Sequence, residues 1–388
     1  MATRTYTDKE FQMLKRWLDS NQDSASEKMT AELSEVIAKD YPAKKIMPLN
    51  SCMGALHVAL QTIGVGPGDE VIVDPIVTFA GMSVMYHNAV PIFADVDIKK
   101  MNVDPESIRQ NITPYTKAII CTHHFGSMVE IEKIMAIAKE HNLPVIEDCA
   151  HSLFATRHGK YAGLHADFSA FSFNHRKQLS TGHGGFLLIN NDEYAEKSKF
   201  TSFGRIPERL SWNYHMPGII AGIAIAQWEH SKDYVNKDHE LAKLYTDAVD
   251  GCGWIIPQEI PEGNWSAYHI WAAIYKGDER GIDYKKFMDV LKSNAAEYFL
   301  PSFIPYGTFG MEPSPVYLYP IFQEPRAYTK RCPTACPHYE GKADYSKGIC
   351  PNTEYLVPKM LNTVLSPIED ERIKRYAEGL YKTIKHFS

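Results

Sequence analysis

Two residues near the middle of the chain could carry covalent chemistry, Lys177 and Asp148. Lys177 lies in segment 168–190, FSAFSFNHRKQLSTGHGGFLLIN, where two apolar runs flank a polar stretch and a Gly-His-Gly-Gly turn. This pattern predicts two strands with the lysine on the loop between them. Asp148 ends another apolar run, 143–148. A lysine held in this way can form a Schiff base with an aldehyde. Pyridoxal phosphate is the candidate, because its chemistry needs such a lysine and a carboxylate facing the pyridinium nitrogen.

A lone lysine in a loop is usually a solvated surface charge. A cofactor-binding role for Lys177 and Asp148 is therefore supported only if further motifs accompany them in a fixed order. Those motifs read, in chain order, SCMGALH at 51–57, GPGDEVIV at 66–73, PIVTF at 75–79, EDCAH at 147–151, FSF at 171–173 with Lys177, GHGG at 182–185 and NYHM at 213–216. With them the chain resembles the DegT/DnrJ/EryC1/StrS family of sugar aminotransferases, from about Tyr6 to the C-terminal helix. The resemblance implies the aspartate-aminotransferase (type I) fold and pyridoxal 5'-phosphate as cofactor.

Apolar runs that alternate with helix-like segments independently predict an α/β protein with a mainly parallel sheet. Seven strands are predicted, at 45–49, 70–74, 90–94, 117–121, 145–148, 170–173 and 185–189, with helices near 55–63, 78–86 and 130–141 and a long helix from about 218 to 252. We expect a large cofactor-binding domain, residues 1–245, and a smaller α+β C-terminal domain, residues 246–388. In such sheets ligands collect beyond the carboxyl ends of the strands, where Asp148 and Phe79 are predicted to lie.

Composition describes a soluble globular protein. The chain has 388 residues, 44% hydrophobic and 23% charged, with a net charge of −6, which provides no basic surface for nucleic acid. No apolar run is long enough to span a membrane, and MATRTYTDKE lacks the apolar core of a signal peptide. Seven irregularly spaced cysteines argue against a disulfide framework. These features predict a cytoplasmic protein.

The resemblance assigns roles to individual residues around the cofactor ring. Lys177 is expected to hold the cofactor as a Schiff base and then to move the proton between cofactor and substrate carbon. Asp148 is expected to pair with the pyridine nitrogen and keep it protonated. Phe79 occupies the position of an aromatic ring on the cofactor face. His151 replaces a glutamine beside the ring and can still donate one hydrogen bond.

A second group of residues is expected to hold the cofactor phosphate. Ser172 matches the phosphate-binding serine of the family, and the backbone amides of Cys52 and Met53 open a helix that forms an anion site. Met53 replaces a residue whose hydroxyl binds phosphate, and methionine cannot donate a hydrogen bond. Ser51 or a water could substitute for that hydroxyl. Asn213 matches a residue that reaches the phosphate across a dimer interface, which implies a homodimer with shared active sites.

Two groups of residues resemble metal sites, but neither is expected to bind a metal. His175 and His183 flank Lys177, but no carboxylate or cysteine joins them at ligand spacing. The segment CPTACPH at 332–338, with Cys350 beyond it, has an acceptable Cys-x-x-x-Cys spacing but only a remote fourth ligand. His183 also replaces the glutamate of the family's Gly-Glu-Gly-Gly turn, and His215 replaces an arginine. These departures indicate either a specialised substrate or altered chemistry.

The sequence therefore predicts a transaminase of amino-sugar biosynthesis. It is expected to move an amino group from glutamate or glutamine to a keto-sugar, which is either a nucleotide-linked sugar or a cyclitol. One alternative is a sugar dehydratase of the same family, in which the Schiff-base lysine is replaced by histidine. Lys177 is present at the position of that lysine, and His175, two residues earlier, is not aligned with it. The dehydratase alternative is therefore disfavoured. The other alternative is a regulator that retains the fold without catalysis, which would be expected to lose Lys177 or Asp148 or to carry a fused DNA-binding module. The sugar, the aminated carbon and the donor stay open.

Overall fold

The computed structural model describes residues 6–20, 22–198, 212–295, 313–324, 333–366 and 369–388. The strands are β1 Lys45–Leu49, β2 Glu70–Val73, β3 Val90–Phe93, β4 Val96–Asp97, β5 Asn102–Val103, β6 Thr116–Thr122, β7 Val145–Asp148, β8 Thr156–Arg157, β9 Lys160–Tyr161, β10 Phe168–Ser172, β11 Gly185–Ile189, β12 Ile255–Pro257, β13 Asn264–Trp265, β14 Ile270–Tyr275 and β15 Met360–Val364. The helices are α1 Asp8–Leu18, α2 Gln22–Ala38, α3 Cys52–Ile63, α4 Thr78–Met85, α5 Pro105–Gln110, α6 Ile131–Glu140, α7 Asp192–Lys197, α8 Gly218–Ala248, α9 Tyr284–Ala295, α10 Pro320–Gln323, α11 Pro351–Leu356 and α12 Asp370–His386.

All seven predicted strands are present and form one sheet in the order β1-β11-β10-β7-β6-β2-β3. Pairing is parallel from β10 through β7, β6 and β2 to β3, whereas β11 runs antiparallel to both of its neighbours, β10 and β1. The prediction of a type I α/β fold is thereby confirmed. Because six strands point the same way, their carboxyl ends meet at one edge of the sheet.

The sheet is buried on both faces, as its apolar strands predict. Successive side chains of β6 alternate between two cores: Ile119 and Cys121 pack on the face covered by α2, α6 and α8, and Ala118 and Ile120 pack on the face of α3 and α4. A second, three-stranded antiparallel sheet, β12-β14-β15, packs with α9 and α12 around a separate core. The long helix α8 contributes residues to the first and to the third of these cores. The division at residue 245 stays a prediction.

Two predicted boundaries shift for visible reasons. β2 ends at Val73 rather than at Asp74, because the carboxylate of Asp74 accepts hydrogen bonds from the amides of Ile76 (3.0 Å) and Val77 (3.1 Å) and turns the chain. The long helix ends at Ala248, before two glycines with positive φ at 251 and 253, rather than continuing to residue 252. Helices α1 and α2, which pack against α8, were not predicted.

Candidate active site

A cavity of ≈ 220 Å³ opens at the carboxyl edge of the seven-stranded sheet. Its walls come from the ends of β7 and β10, the first turns of α3 and α4, and the loop between β10 and β11. The described residues that line it are Ser51, Cys52, Met53, Leu56, Val77, Phe79, Thr122, Asp148, Ala150, His151, Ser172, Asn174, His175, Lys177, His183 and Gly184. Seven of the eight predicted site residues are therefore brought together, and Asn213 is not among them.

Lys177 is held inside this cavity by the loop that was predicted to carry it. Its backbone amide donates to the carbonyl of Asn174 (2.9 Å), and the loop closes where the Phe173 amide donates to the carbonyl of Gly184 (2.9 Å). The residue is only 8% exposed. Burial lowers the pKa of Lys177 to about 8, although the nearby carboxylate of Asp148 opposes that shift. An amine with this pKa is partly uncharged near neutral pH and can act as a nucleophile and a base.

Asp148 ends β7 on the cavity floor. Its Oδ1 accepts a hydrogen bond from the amide of Ala150 (3.0 Å) and lies 3.8 Å from the thiol sulfur of Cys52. Burial raises the pKa of Asp148, and the Ala150 amide and Lys177 only partly offset this. The carboxylate thus has weak partners in the protein and capacity to accept a further charged donor.

Behind the floor lie two buried histidine–carboxylate pairs that the sequence analysis missed. Nε2 of His124 lies 2.9 Å from Oδ1 of Asp74, whose other oxygen accepts from the hydroxyl of Thr122 at 2.6 Å. Nε2 of His123 lies 2.9 Å from Glu147. The sequence did contain a signal, because each of these residues lies within three residues of the end of a predicted strand.

The second pair also forms, with Cys149, a group with the spacing of a metal site. Nδ1 of His123 accepts from the amide of Val129 (3.2 Å), so the ring N–H facing Glu147 is at Nε2. Glu147 further accepts from the amides of residues 163, 165 and 166, each at 2.9 Å. These bonds satisfy both ring nitrogens and the carboxylate without an ion, and they indicate a structural role. The absence of a metal from the site stays a prediction.

The start of α3 lines the cavity with Ser51, Cys52 and Met53. The Ser51 hydroxyl accepts from the Gly54 amide (3.0 Å) and lies 3.1 Å from Oδ1 of Asn50, to which it donates. This leaves the amides of Cys52 and Met53 outside the helix's own hydrogen bonds. It also leaves Ser51 no proton with which to replace the hydroxyl missing at Met53. The close packing of β11 behind this turn requires Gly185, because a Cβ there would lie 2.8 Å from the Cys52 nitrogen.

The other predicted residues that line the cavity are Phe79, Ser172 and His151. Phe79 is the second residue of α4, and Ser172 ends β10, where its hydroxyl lies 3.3 Å from the Asn174 amide that donates to it. His151 is 4% exposed, and burial holds its pKa well below the ordinary value. Its Nδ1 has no hydrogen-bond partner among the described residues. His269, which precedes β14 and was not predicted, lies with its ring centroid 4.8 Å from that of His151.

Asn213 and the described cysteines of the C-terminal segment, Cys336 and Cys350, do not line the cavity. Asn213 is exposed, beside the stretch where the amide of Asn50 donates to the carbonyl of Tyr214 (2.8 Å), so its expected contact with a second copy stays a prediction. Cys332 lies outside the described residues. Cys336 packs with Val90, and among the described residues Cys336, His338 and Cys350 take part in no group of three or more metal-ligating side chains.

Comparison with known proteins identifies the family. The model of the DegT/DnrJ/EryC1/StrS aminotransferase family matches residues 5–378, and the chain belongs to this family of enzymes, which depend on pyridoxal phosphate. The recognised resemblance, the enzyme class and the cofactor are thereby confirmed. Within the described residues, no helix is both long and apolar enough to cross a membrane.

Three relatives illustrate the similarity. GDP-perosamine synthase of Escherichia coli is 34% identical over 63% of this chain and 69% of its own length. A pleiotropic regulatory protein of Geobacillus stearothermophilus is 29% identical over 86% of this chain and 83% of its own. The solved aminotransferase of Psychrobacter cryohalolentis has a TM-score of 0.80 at 24% identity and covers 98% of both chains.

The chemical groups that line the described cavity fit pyridoxal phosphate. It combines a buried amine with a lowered pKa, a carboxylate that lacks a strong donor and a helix start with two unused amides. The buried Nδ1 of His151 adds an unpaired polar atom on the cavity wall.

Proposed function

We propose that the protein transfers an amino group from glutamate or glutamine to a keto-sugar, nucleotide-linked or a cyclitol, in amino-sugar biosynthesis. The observation that carries this proposal is the burial of Lys177 and Asp148 in one cavity beside the start of α3. The name of the Escherichia coli relative, a GDP-perosamine synthase, supports a nucleotide-linked sugar as substrate class.

The residues of the cavity divide the work between binding and proton transfer. When bound, pyridoxal phosphate withdraws electrons from the substrate carbon at which a proton is lost or gained. Asp148 holds a proton at the pyridine nitrogen, and its weakly satisfied carboxylate gains a charge-assisted hydrogen bond in doing so. Lys177 takes up and returns the proton at the substrate carbon, which its lowered pKa permits near neutral pH.

The other predicted residues orient the cofactor. Ser172 and the amides of Cys52 and Met53 bind the phosphate, with the dipole of α3 adding to the attraction. Phe79 packs on one face of the ring, and His151 donates a hydrogen bond at the ring edge. The apolar wall and the buried histidines keep water from the reacting carbon, which strengthens each of these interactions.

The two alternatives are weaker on specific grounds. A dehydratase of this family would carry histidine in place of Lys177, which is present and buried. The similarity to a pleiotropic regulatory protein keeps a regulatory role as a second candidate. A regulator without catalysis has no need of a buried lysine with a lowered pKa, because burying an amine costs stability and such groups are found mainly where function uses them.

We further propose a cytoplasmic homodimer in which Asn213 reaches the phosphate of the partner subunit's cavity. The exposure of Asn213 and its place outside its own chain's cavity support this arrangement. The six cysteines among the described residues are all free, which supports a reducing compartment. Sedimentation of the holoenzyme, followed by mixing of Lys177→Ala and Asn213→Ala subunits, tests the shared site. The mixture should regain up to about a quarter of the wild-type activity if the two residues reach one site from different subunits, because half of its dimers are mixed and each mixed dimer has one intact site of two.

A screen of keto-sugars tests the reaction itself. The holoenzyme is first converted to its amino form with glutamate or glutamine, which bleaches the visible absorption of the cofactor. Candidate keto-sugars are then added, and return of the absorption together with a mass increase of the sugar identifies the acceptor. A holoenzyme that neither amino donor converts would contradict the proposed transamination.

A further inference from the structure

We propose that His183 recognises an oxyanion of the substrate, a carboxylate or a phosphate, at the mouth of the cavity. This inference rests on the proposed function and adds to it a residue and a chemical class of ligand. His183 lies in the turn that links the Lys177 loop to β11 and lines the cavity. It is exposed, in contrast to the buried Lys177.

The backbone of this turn is fixed without help from the imidazole. The hydroxyl of Thr181 donates to the carbonyl of His183 at 2.6 Å. Gly182 and Gly184 flank the residue with φ of 85° and 143°, in the range that favours glycine. The His183 ring itself has no hydrogen bond to any described residue. The turn therefore fixes the position of His183 and leaves its ring nitrogens able to bind a ligand in the cavity.

The charge distribution around His183 favours an anion over a neutral group. Asp148 is the only carboxylate among the described residues that line the cavity, and it lies on the floor. The mouth carries a second imidazole, His175, and no acidic side chain among those lining residues. An imidazole donates an N–H in both its neutral and its protonated form, so it can hold an oxyanion in either state. A carboxylate introduced at position 183 of this chain would lie close to the same anion and oppose its binding.

Replacement of His183 by glutamate and by glutamine separates charge from shape. His183→Glu introduces the repelling carboxylate, whereas His183→Gln keeps an N–H donor of similar reach. His141→Glu, at an exposed position following α6, makes the same charge change away from the cavity and serves as the matched control. Each variant is loaded with pyridoxal phosphate, and its cofactor absorption and cofactor Kd are measured first.

Calorimetric titration of the holoenzymes uses two unreactive probes. Glutarate represents the carboxylates of an amino donor, and uridine diphosphate represents the phosphates of a nucleotide-linked sugar. We expect His183→Glu to weaken one or both probes about tenfold, the loss of roughly one charge-assisted hydrogen bond. His183→Gln should stay within about threefold of wild type, and cofactor Kd should be unchanged in all variants.

The pattern of losses identifies the source of the anion. A loss for glutarate alone assigns the donor carboxylate, a loss for uridine diphosphate alone assigns the sugar phosphate, and a loss for both assigns a shared subsite. The proposal is overturned if His183→Glu binds both probes as tightly as His141→Glu, or if wild type binds neither. These titrations do not depend on turnover. A weakened probe in an enzyme that aminates no keto-sugar would therefore refute the proposed function while leaving the anion site intact.

Discussion

Replacing Met53 by threonine should tighten binding of pyridoxal phosphate. Met53 is the second residue of α3 and lines the cavity, next to two amides that the helix does not use. The hydroxyl of Ser51 is already committed to Asn50 and Gly54, so it offers the phosphate no proton. A threonine hydroxyl at position 53 would add one charge-assisted hydrogen bond, worth about 1 to 1.4 kcal/mol net, which lowers Kd by up to about tenfold.

A matched control isolates that hydroxyl. Met53→Val has the shape and β-branching of threonine without the oxygen, so both variants share the small cost in helix propensity, a few tenths of a kcal/mol. Apoenzyme of each variant is titrated with pyridoxal phosphate, and Kd is read from the visible absorption. The gain shrinks if an ordered water already occupies the position, because that water must be displaced. If threonine binds the cofactor no more tightly than valine, position 53 does not face the phosphate.

Three further predictions concern the buried charges. Borohydride reduction should fix pyridoxal phosphate on Lys177, and Lys177→Ala should abolish amino transfer through kcat while the protein stays folded; a label on another lysine, or normal turnover in the variant, would contradict this role. Because burial lowers the pKa of Lys177 from 10.5 to about 8, the folded apoenzyme releases this proton before the unfolded chain does, so stability linked to Lys177 should rise between pH 8 and pH 10.5. The rise should approach about 3 kcal/mol, measured as the difference in urea unfolding between wild type and Lys177→Met, and a difference that does not change with pH would refute it. Glu147→Gln should destabilise the fold by roughly 2 to 4 kcal/mol, because it disrupts a buried carboxylate bonded to His123 and three amides, whereas the exposed Glu193→Gln should cost under about 0.5 kcal/mol in the same denaturation assay.

The large sheet could be predicted from the sequence because its signals are local. Each of its strands is a short apolar run bounded by turn residues, and burial on both faces removes the need for alternation. The boundaries were less predictable, since Asp74 ends β2 through hydrogen bonds to amides two and three residues ahead. A smaller α+β C-terminal domain was expected, but the strands of its sheet were not located, because pairing of β14 with β15 joins segments about 90 residues apart.

The residues of the site also divide into those that local sequence signals predict and those that depend on tertiary contacts. The lining residues on the strand ends and the adjacent helix starts follow from motif order, because each motif lies where a predicted strand meets a loop or helix. The presence of His269 beside the site could not be predicted. It lies about 120 residues after His151 in the chain, and no local sequence pattern marks it. His123 and His124 did carry a signal at the end of β6, but which carboxylate each one meets depends on how β2, β6 and β7 lie side by side.

The adjacent carboxylates of β7 show how the strand assigns one to structure and the other to the cofactor. Alternation along a strand sends Glu147 and Asp148 to opposite faces. Burial alone would raise the pKa of Glu147, but His123 and the amides outweigh it and hold that pKa at about 2. Asp148 is equally enclosed, yet it has only one amide and a thiol as donors, and burial raises its pKa. Because both carboxylates are buried, the number of hydrogen-bond donors around each one decides whether its pKa is lowered or raised. Asp148 thus retains the acceptor capacity that a protonated ring nitrogen requires, whereas Glu147 has none left to offer.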